Sequence, residues 1–184
     1  MNRALTAAFR ALVPLTGLPA LGQDSKQPAK PVWPEAKSKK LYAKNDLRGK
    51  AAPAFHVESW LGKEPDRQGK VVLIDFWATW CAPCVQELPN VVAAYKKLHD
   101  RGFEVIGISL DEEESRLREF IKRNSMPWPQ FWDGKDGKAE LAKAFDVQAI
   151  PKTYLIDREG RIRRVGVRGE SLAEAVEKLL DAGK

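Results

Sequence analysis

Val71-Val72-Leu73-Ile74-Asp75-Phe76-Trp77-Ala78-Thr79-Trp80-Cys81-Ala82-Pro83-Cys84 is the stretch on which the reading of this chain turns. Its first seven residues, apolar apart from Asp75, suit a central strand buried on both faces. Val85, Leu88, Val91, Val92, Tyr95 and Leu98 then recur at helical spacing, so the cysteines fall where that helix begins. A sulfur there meets unpaired backbone N–H groups and the positive end of the helix dipole, both of which favour the thiolate. Cys81 is therefore the candidate nucleophile. Cys84, shielded within the first turn, is the candidate resolving thiol. They are the only two cysteines, and two residues between them allow a small ring to close. The pair reads as a redox-active Cys81–Cys84 disulfide that works without a further cofactor.

Two plainer readings of the pair are weaker. A structural zinc site needs four ligands, and the only histidines, His56 and His99, lie far apart, so no metal site is expected. A purely structural disulfide across one helical turn closes almost no chain and adds little stability.

At 184 residues with 43% apolar content, the chain suits one domain with appendages. The net charge of +6 is concentrated near the N-terminus: residues 51–184 carry 21 basic against 22 acidic side chains. Nucleic acid is thus not an expected partner.

Residues 1–22 read as an export signal: Arg3 and Arg10 precede or flank an acid-free apolar stretch, and Ala20-Leu21-Gly22 offers a small-x-small cleavage site. A periplasmic or secreted location is expected. A transit peptide is the rival, although no serine occurs before Ser25. Residues 23–48 hold Pro28, Pro31 and Pro34 among Lys26, Lys30, Lys37, Lys39, Lys40 and Lys44, a composition suited to an extended tether. Its lysines read as solvated or as contacts to an anionic membrane surface.

From residue 49 to 184 the pattern is globular α/β. Ala54–Trp60 suits an entry strand, Phe103–Leu110 a second buried strand, and Gln130–Trp132 a short extended piece. Asp111 is placed to cap a helix carrying Leu117, Phe120 and Ile121, with the acidic residues to Glu114 in its first turn. A short helix is expected over residues 138–145. Thr153–Asp157 and Ile162–Val167 suit a hairpin, and Ser171-x-x-Glu174 reads as a capping box opening a last helix with Leu172, Val176, Leu179 and Leu180 inward. A mixed sheet flanked by helices follows.

The run Phe76–Pro89, with Trp80-Cys81-Ala82-Pro83-Cys84 and Glu87, followed by Ile150-Pro151-Lys152-Thr153, resembles the thioredoxin superfamily, specifically its TlpA-like and ResA-like exported thiol-disulfide oxidoreductases. Ala52-Pro53-Ala54-Phe55 resembles the entry segment that this branch shares with the peroxiredoxins. The resemblance covers about residues 49–182 and implies a thioredoxin-like fold with a strand-helix element inserted between Phe103 and Trp132.

The resemblance implies that Cys81 is the exposed attacking thiol, that Pro83 biases the couple toward reduction, and that Pro151 is a cis-proline facing the disulfide. Lacking an N–H, Pro151 leaves the backbone before it, at Ile150, free to pair with an extended substrate segment. Trp80, beside Cys81, suits the rim of that substrate groove. Asp75 is expensive to bury ionised, so its pKa is expected to rise and fit it to move protons. It matches the buried aspartate of thioredoxins, where TlpA-like sequences often have asparagine. Glu87, on the helical face of Cys84, matches the acid near the disulfide in this branch. Catalytic roles are thus expected for Cys81, Cys84, Asp75 and Glu87.

The expected activity is reduction of disulfides in exported client proteins, with cytochrome c or metal-centre maturation among the implied settings. An upstream thiol electron donor, membrane-bound or soluble, must restore the dithiol. A thiol peroxidase would need a proline seven residues and a hydroxyl three residues before its cysteine, where Cys81 has Ile74 and Ala78. A non-catalytic binding module would leave the paired cysteines and two acids without purpose.

Overall fold

The computed structural model describes residues 46–54, 60–132 and 140–182. The proposed signal at 1–22, nearly all of the tether, His56 and most of the expected entry strand lie outside them.

The chain builds strands β1 (Trp60–Leu61), β2 (Val71–Trp77), β3 (Phe103–Ser109), β4 (Gln130–Phe131), β5 (Lys152–Ile156) and β6 (Ile162–Val165). Helices α1 (Ala82–Leu98), α2 (Glu114–Arg123), α3 (Glu140–Ala144) and α4 (Glu170–Asp181) are interspersed. The sheet order is β1-β4-β3-β2-β5-β6. The β2–β3 and β3–β4 pairs are parallel, whereas β5 runs antiparallel to β2 and to β6. This is the expected mixed sheet, with β2 at its centre because nearly every side chain of that run is apolar.

Alternation along β2 divides the core. Val71, Leu73 and Trp77 join Leu88, Val91, Leu98, Leu172, Val176 and Leu180 of α1 and α4 on one face. Val72, Ile74 and Phe76 pack with Leu141 and Phe145 of α3 and the region following it on the other. The start of the domain is tied to the β5–β6 hairpin: Gly49 N–H donates to Ile162 O at 2.7 Å and Ala52 N–H to Gly160 O at 2.8 Å.

Two helix starts differ from expectation. Asp111 does not cap α2, which begins after Glu113 without a side-chain cap. The Asp111 carboxylate turns inward to donors of Thr79, in the loop after β2, and of Ser109 at the end of β3. The capping box does not form either: Gly169 takes the position before α4 with φ 60°, and Ser171 Oγ instead donates to Arg168 O at 2.5 Å. Glu174 pairs outward with Lys178. The inward face of α4 is nevertheless the expected one.

Gly107 is required by a close approach. A Cβ there would lie 1.8 Å from Oε1 of Gln130, whose carboxamide covers it. Gly107→Ala is expected to lower stability by about 2 kcal/mol in urea unfolding, through overpacking. An unchanged midpoint and slope would show that Gln130 moves aside freely.

Candidate active site

The chain leaves β2 at Trp77 and reaches Cys81, the residue preceding the first turn of α1. Cys81 has extended backbone geometry, and its Sγ accepts the Cys84 N–H at 3.3 Å. Proline in the first turn of the helix fits a position whose N–H would have no helical acceptor. Cys81 and Cys84 form a disulfide with Sγ atoms 2.06 Å apart.

Cys81 is not exposed as the resemblance implied: it is 5% accessible and Cys84 7%. The turn folds Cys81 back, its N–H bonding to Ala78 O, and the disulfide directs each sulfur at the other. Gross exposure therefore does not distinguish the thiols. What does is position, since only Cys81 stands ahead of the helix with its sulfur toward the free N–H groups.

The surroundings present an apolar rim and a backbone edge. Trp80 is 62% accessible, the one large hydrophobic side chain so exposed among the described residues. Pro83 is also exposed. The Ile150–Pro151 bond is cis. The β2–β5 register ends at Phe76 opposite Lys152, so Pro151 comes one residue later, where β2 runs out toward Cys81. Ile150 packs against the cluster that holds both cysteines.

Asp75 lies between Leu73 and Trp77 on the sheet face that α1 covers, opposite Gly107 on one side and Thr153 on the other. It retains part of its surface, yet burial dominates its ionisation and pushes its pKa up to about 7; Arg168 opposes the rise and Glu87 adds to it. Glu87 is no free surface acid. One oxygen accepts the Gly169 N–H at 2.7 Å and the other the Asn90 side-chain amide at 3.2 Å. The Arg168 guanidinium donates to Pro151 O. The turn before α4 is thereby tied both to the helix of the cysteines and to the proline segment.

Three groups around the site escaped the sequence reading. Arg168 follows a basic hairpin strand, and nothing along the chain signals which of these arginines turns inward. Gln130 stands in the sequence only as part of a short extended piece. Asp111 has the sequence setting of a helix terminus, but at 3% exposure it accepts the Thr79 N–H at 3.1 Å, the Thr79 hydroxyl at 2.5 Å and the Ser109 hydroxyl at 2.8 Å. It ties the turn leading to Cys81 to the end of β3. Asp111→Ala strands these donors and is expected to destabilise the protein by about 3 kcal/mol. Urea unfolding tests this, and a loss below about 0.5 kcal/mol would mean that solvent reaches the donors.

The groups expected of a peroxidase are missing from their places. Ile74 faces the opposite side of the sheet, and Ala78 is buried without a hydroxyl. Among the described residues, no three His, Cys, Asp or Glu side chains group as metal ligands. Among them also, no helix is long and apolar enough to cross a membrane.

Comparison with known proteins agrees with this geometry. The AhpC/TSA family model matches residues 48–165. The thiol-disulfide oxidoreductase ResA of Bacillus thuringiensis subsp. konkukian is 35% identical over 135 residues, covering 72% of this chain and 76% of ResA. ResA of Bacillus subtilis is 31% identical over 141 residues, covering 74% and 77% respectively. The thioredoxin domain of a thiol-disulfide oxidoreductase from Bacteroides vulgatus superposes with a TM-score of 0.66 at 30% identity, covering 74% of this chain and 99% of that one. With its cysteine pair closed at the head of α1 on a thioredoxin-like sheet, the chain belongs to the AhpC/TSA family and, within it, to the ResA-like thiol-disulfide oxidoreductases.

Proposed function

We propose that this oxidoreductase reduces disulfides of exported proteins, with Cys81 attacking and Cys84 resolving. The observation that carries the reading is the placement of Cys81 ahead of α1, bonded to Cys84 and next in the chain to exposed Trp80. In the reduced protein, the Cys81 thiolate attacks one sulfur of a client disulfide. That bond breaks, and the departing client sulfur leaves as a thiolate that takes up a proton. Cys84 then loses its proton and attacks Sγ of Cys81, releasing the second client thiolate and closing the Cys81–Cys84 bond. Two electrons and two protons from an upstream thiol donor restore the dithiol.

Trp80, Pro83, Ile150 and Pro151 form the client groove in this reading: Trp80 and Pro83 give exposed apolar contact, and the backbone at Ile150 pairs with an extended segment. Asp75 is the base for the Cys84 proton. An acid with a pKa near 7 divides its population between both forms at neutral pH, which suits it to accept and return a proton. Glu87 tunes that acid by its charge while holding the Gly169 turn.

The domain is residues 49–184, delivered outside the cytoplasm by a signal at 1–22 and held on the Lys/Pro-rich tether 23–48. The extracytoplasmic reading is supported by the acid-free apolar N-terminus. Clients of the C-x-x-C-H type, the haem-attachment sequence of c-type cytochromes, fit a protein that keeps paired thiols reduced outside the cell.

Cys84→Ser is expected to hold an oxidised C-x-x-C-H peptide as a mixed disulfide on Cys81, released by dithiothreitol and seen by mass spectrometry. Protein recovered from its host in an extracytoplasmic fraction, beginning near Gln23, is the matching result for location. Failure to trap any disulfide peptide would sink the reductase reading, and a full-length cytoplasmic chain would sink export.

A further inference from the structure

Gln130 is fully buried in β4, and the hydrogen bonding of its two amide atoms is unequal. Oε1 accepts the indole N–H of Trp77 at 3.0 Å. Because that indole nitrogen only donates, the contact fixes which way the carboxamide is turned. Nε2 is therefore directed elsewhere, and it has no hydrogen-bond partner among the described residues. A buried amide donor left unpaired costs about 1–3 kcal/mol.

The sheet register shows what lies beside it. Gln130 pairs with Gly107, which pairs in turn with Asp75, so the three form a row on the face that α1 covers. Gly107 has no side chain, and the Gln130 carboxamide fills the position a Cβ would take. That Cβ position is one strand spacing, about 4.8 Å, from the Cβ of Asp75, with Oε1 1.8 Å and Nε2 2.8 Å from it. A carboxylate oxygen lies two bonds beyond the Asp75 Cβ, so turning that side chain toward β3 carries the oxygen toward the Gln130 carboxamide. The Asp75 carboxyl itself receives no hydrogen bond from the described residues around it. An acid lacking a donor and a donor lacking an acceptor stand side by side.

We propose that Gln130 is a positioning residue for Asp75: its free amide N–H donates to the carboxylate and stabilises the ionised form that accepts the Cys84 proton. This rests on the proton-transfer reading of Asp75 given above. The other groups facing Asp75 do not substitute for it. Thr153, its neighbour on β5, commits its hydroxyl to Val167 O at 3.0 Å. Glu87 and the cysteine pair bring no fixed positive charge; the Arg168 guanidinium favours the ionised carboxyl by its charge but donates its hydrogen bond to Pro151 O. Gln130 is left as the neutral donor that can follow Asp75 through its protonation change.

The test uses the full chain in its oxidised form, with the Gln130 side-chain amide and the Asp75 carboxyl carbon followed by NMR from pH 5 to 9. The amide proton is expected to shift with an inflection matching that of the Asp75 carboxyl, and to lose the inflection in Asp75→Asn. Gln130→Met is expected to raise the Asp75 inflection by about one pH unit. A pH-independent amide proton in the wild-type chain would overturn the proposal, as would an unchanged Asp75 inflection in Gln130→Met. Should loss of the Trp77 contact prevent Gln130→Met from folding, the wild-type and Asp75→Asn spectra decide alone. Client reduction is not part of the readout, so a failure here is distinguishable from failure of the redox reading.

Discussion

Cys81→Ser is expected to lower disulfide reductase turnover by about a thousandfold or more, to the background set by free thiols in solution. No other side chain can replace its nucleophile, because the only other thiol, Cys84, lies inside the first turn of α1. Cys84→Ser behaves differently. It leaves the first attack intact and stops at the mixed disulfide, so a stoichiometric burst replaces turnover. The wild-type protein is expected to consume hydrogen peroxide negligibly, since Ile74 and Ala78 supply no peroxide-binding group. Insulin reduction followed with an external dithiol measures the first effect. Residual turnover above about a tenth of wild type in Cys81→Ser would assign the chemistry elsewhere.

Asp75→Asn is expected to act on stability and on rate in opposite directions. The carboxyl has its pKa raised from 3.8 to about 7 in the folded protein, chiefly by burial. Between those values the folded state binds more protons than the unfolded state, so stability falls as pH rises through that window. Above pH 7 the full penalty applies, and below about pH 4 it disappears. At about 1.4 kcal/mol per unit, Asp75→Asn gains roughly 2–4 kcal/mol at pH 8 relative to wild type, and little at pH 4. Urea unfolding of the oxidised proteins across that range provides the check. A constant difference between the two pH values would show that Asp75 ionises as it would in water.

The same substitution removes the base for Cys84. Resolution of the mixed disulfide is expected to slow by at least about tenfold near pH 7. In the wild type the rate rises as the carboxyl ionises near neutrality; in Asp75→Asn that inflection is lost and solvent must take the Cys84 proton. Because Glu87 raises the Asp75 value, the inflection belongs to the coupled pair, and Glu87→Gln should move it downward. Unchanged resolution rates in both variants would make the acids structural, with solvent supplying the proton exchange.

The centre of this site was legible because its signals are local. The apolar run of β2 coincides with the observed Val71–Trp77, and the cysteines head α1 as the periodicity requires. The cis Ile150–Pro151 bond followed from resemblance, as did the strand-helix insertion. What escaped depends on which residues meet across strands. Gln130 becomes Asp75's neighbour only through the gap left by Gly107, and no spacing along the chain encodes that register. Asp111 satisfied every local rule for a helix start, yet the donors of Thr79 and Ser109 outcompeted that position. Arg168 and Gly169 likewise take their meaning from Pro151 and Glu87, 17 and 82 residues away.

The division of labour between the thiols is most directly tested by a timed alkylation of the fully reduced protein near neutral pH, with each cysteine quantified by peptide mass spectrometry. Both residues are nearly equally buried in the disulfide form, so any large difference reports the thiolate favoured ahead of α1 and not access alone. Cys81 is expected to be modified at least about tenfold faster than Cys84. Equal rates at the two cysteines, or faster modification of Cys84, would contradict the assignment of Cys81 as the attacking thiol.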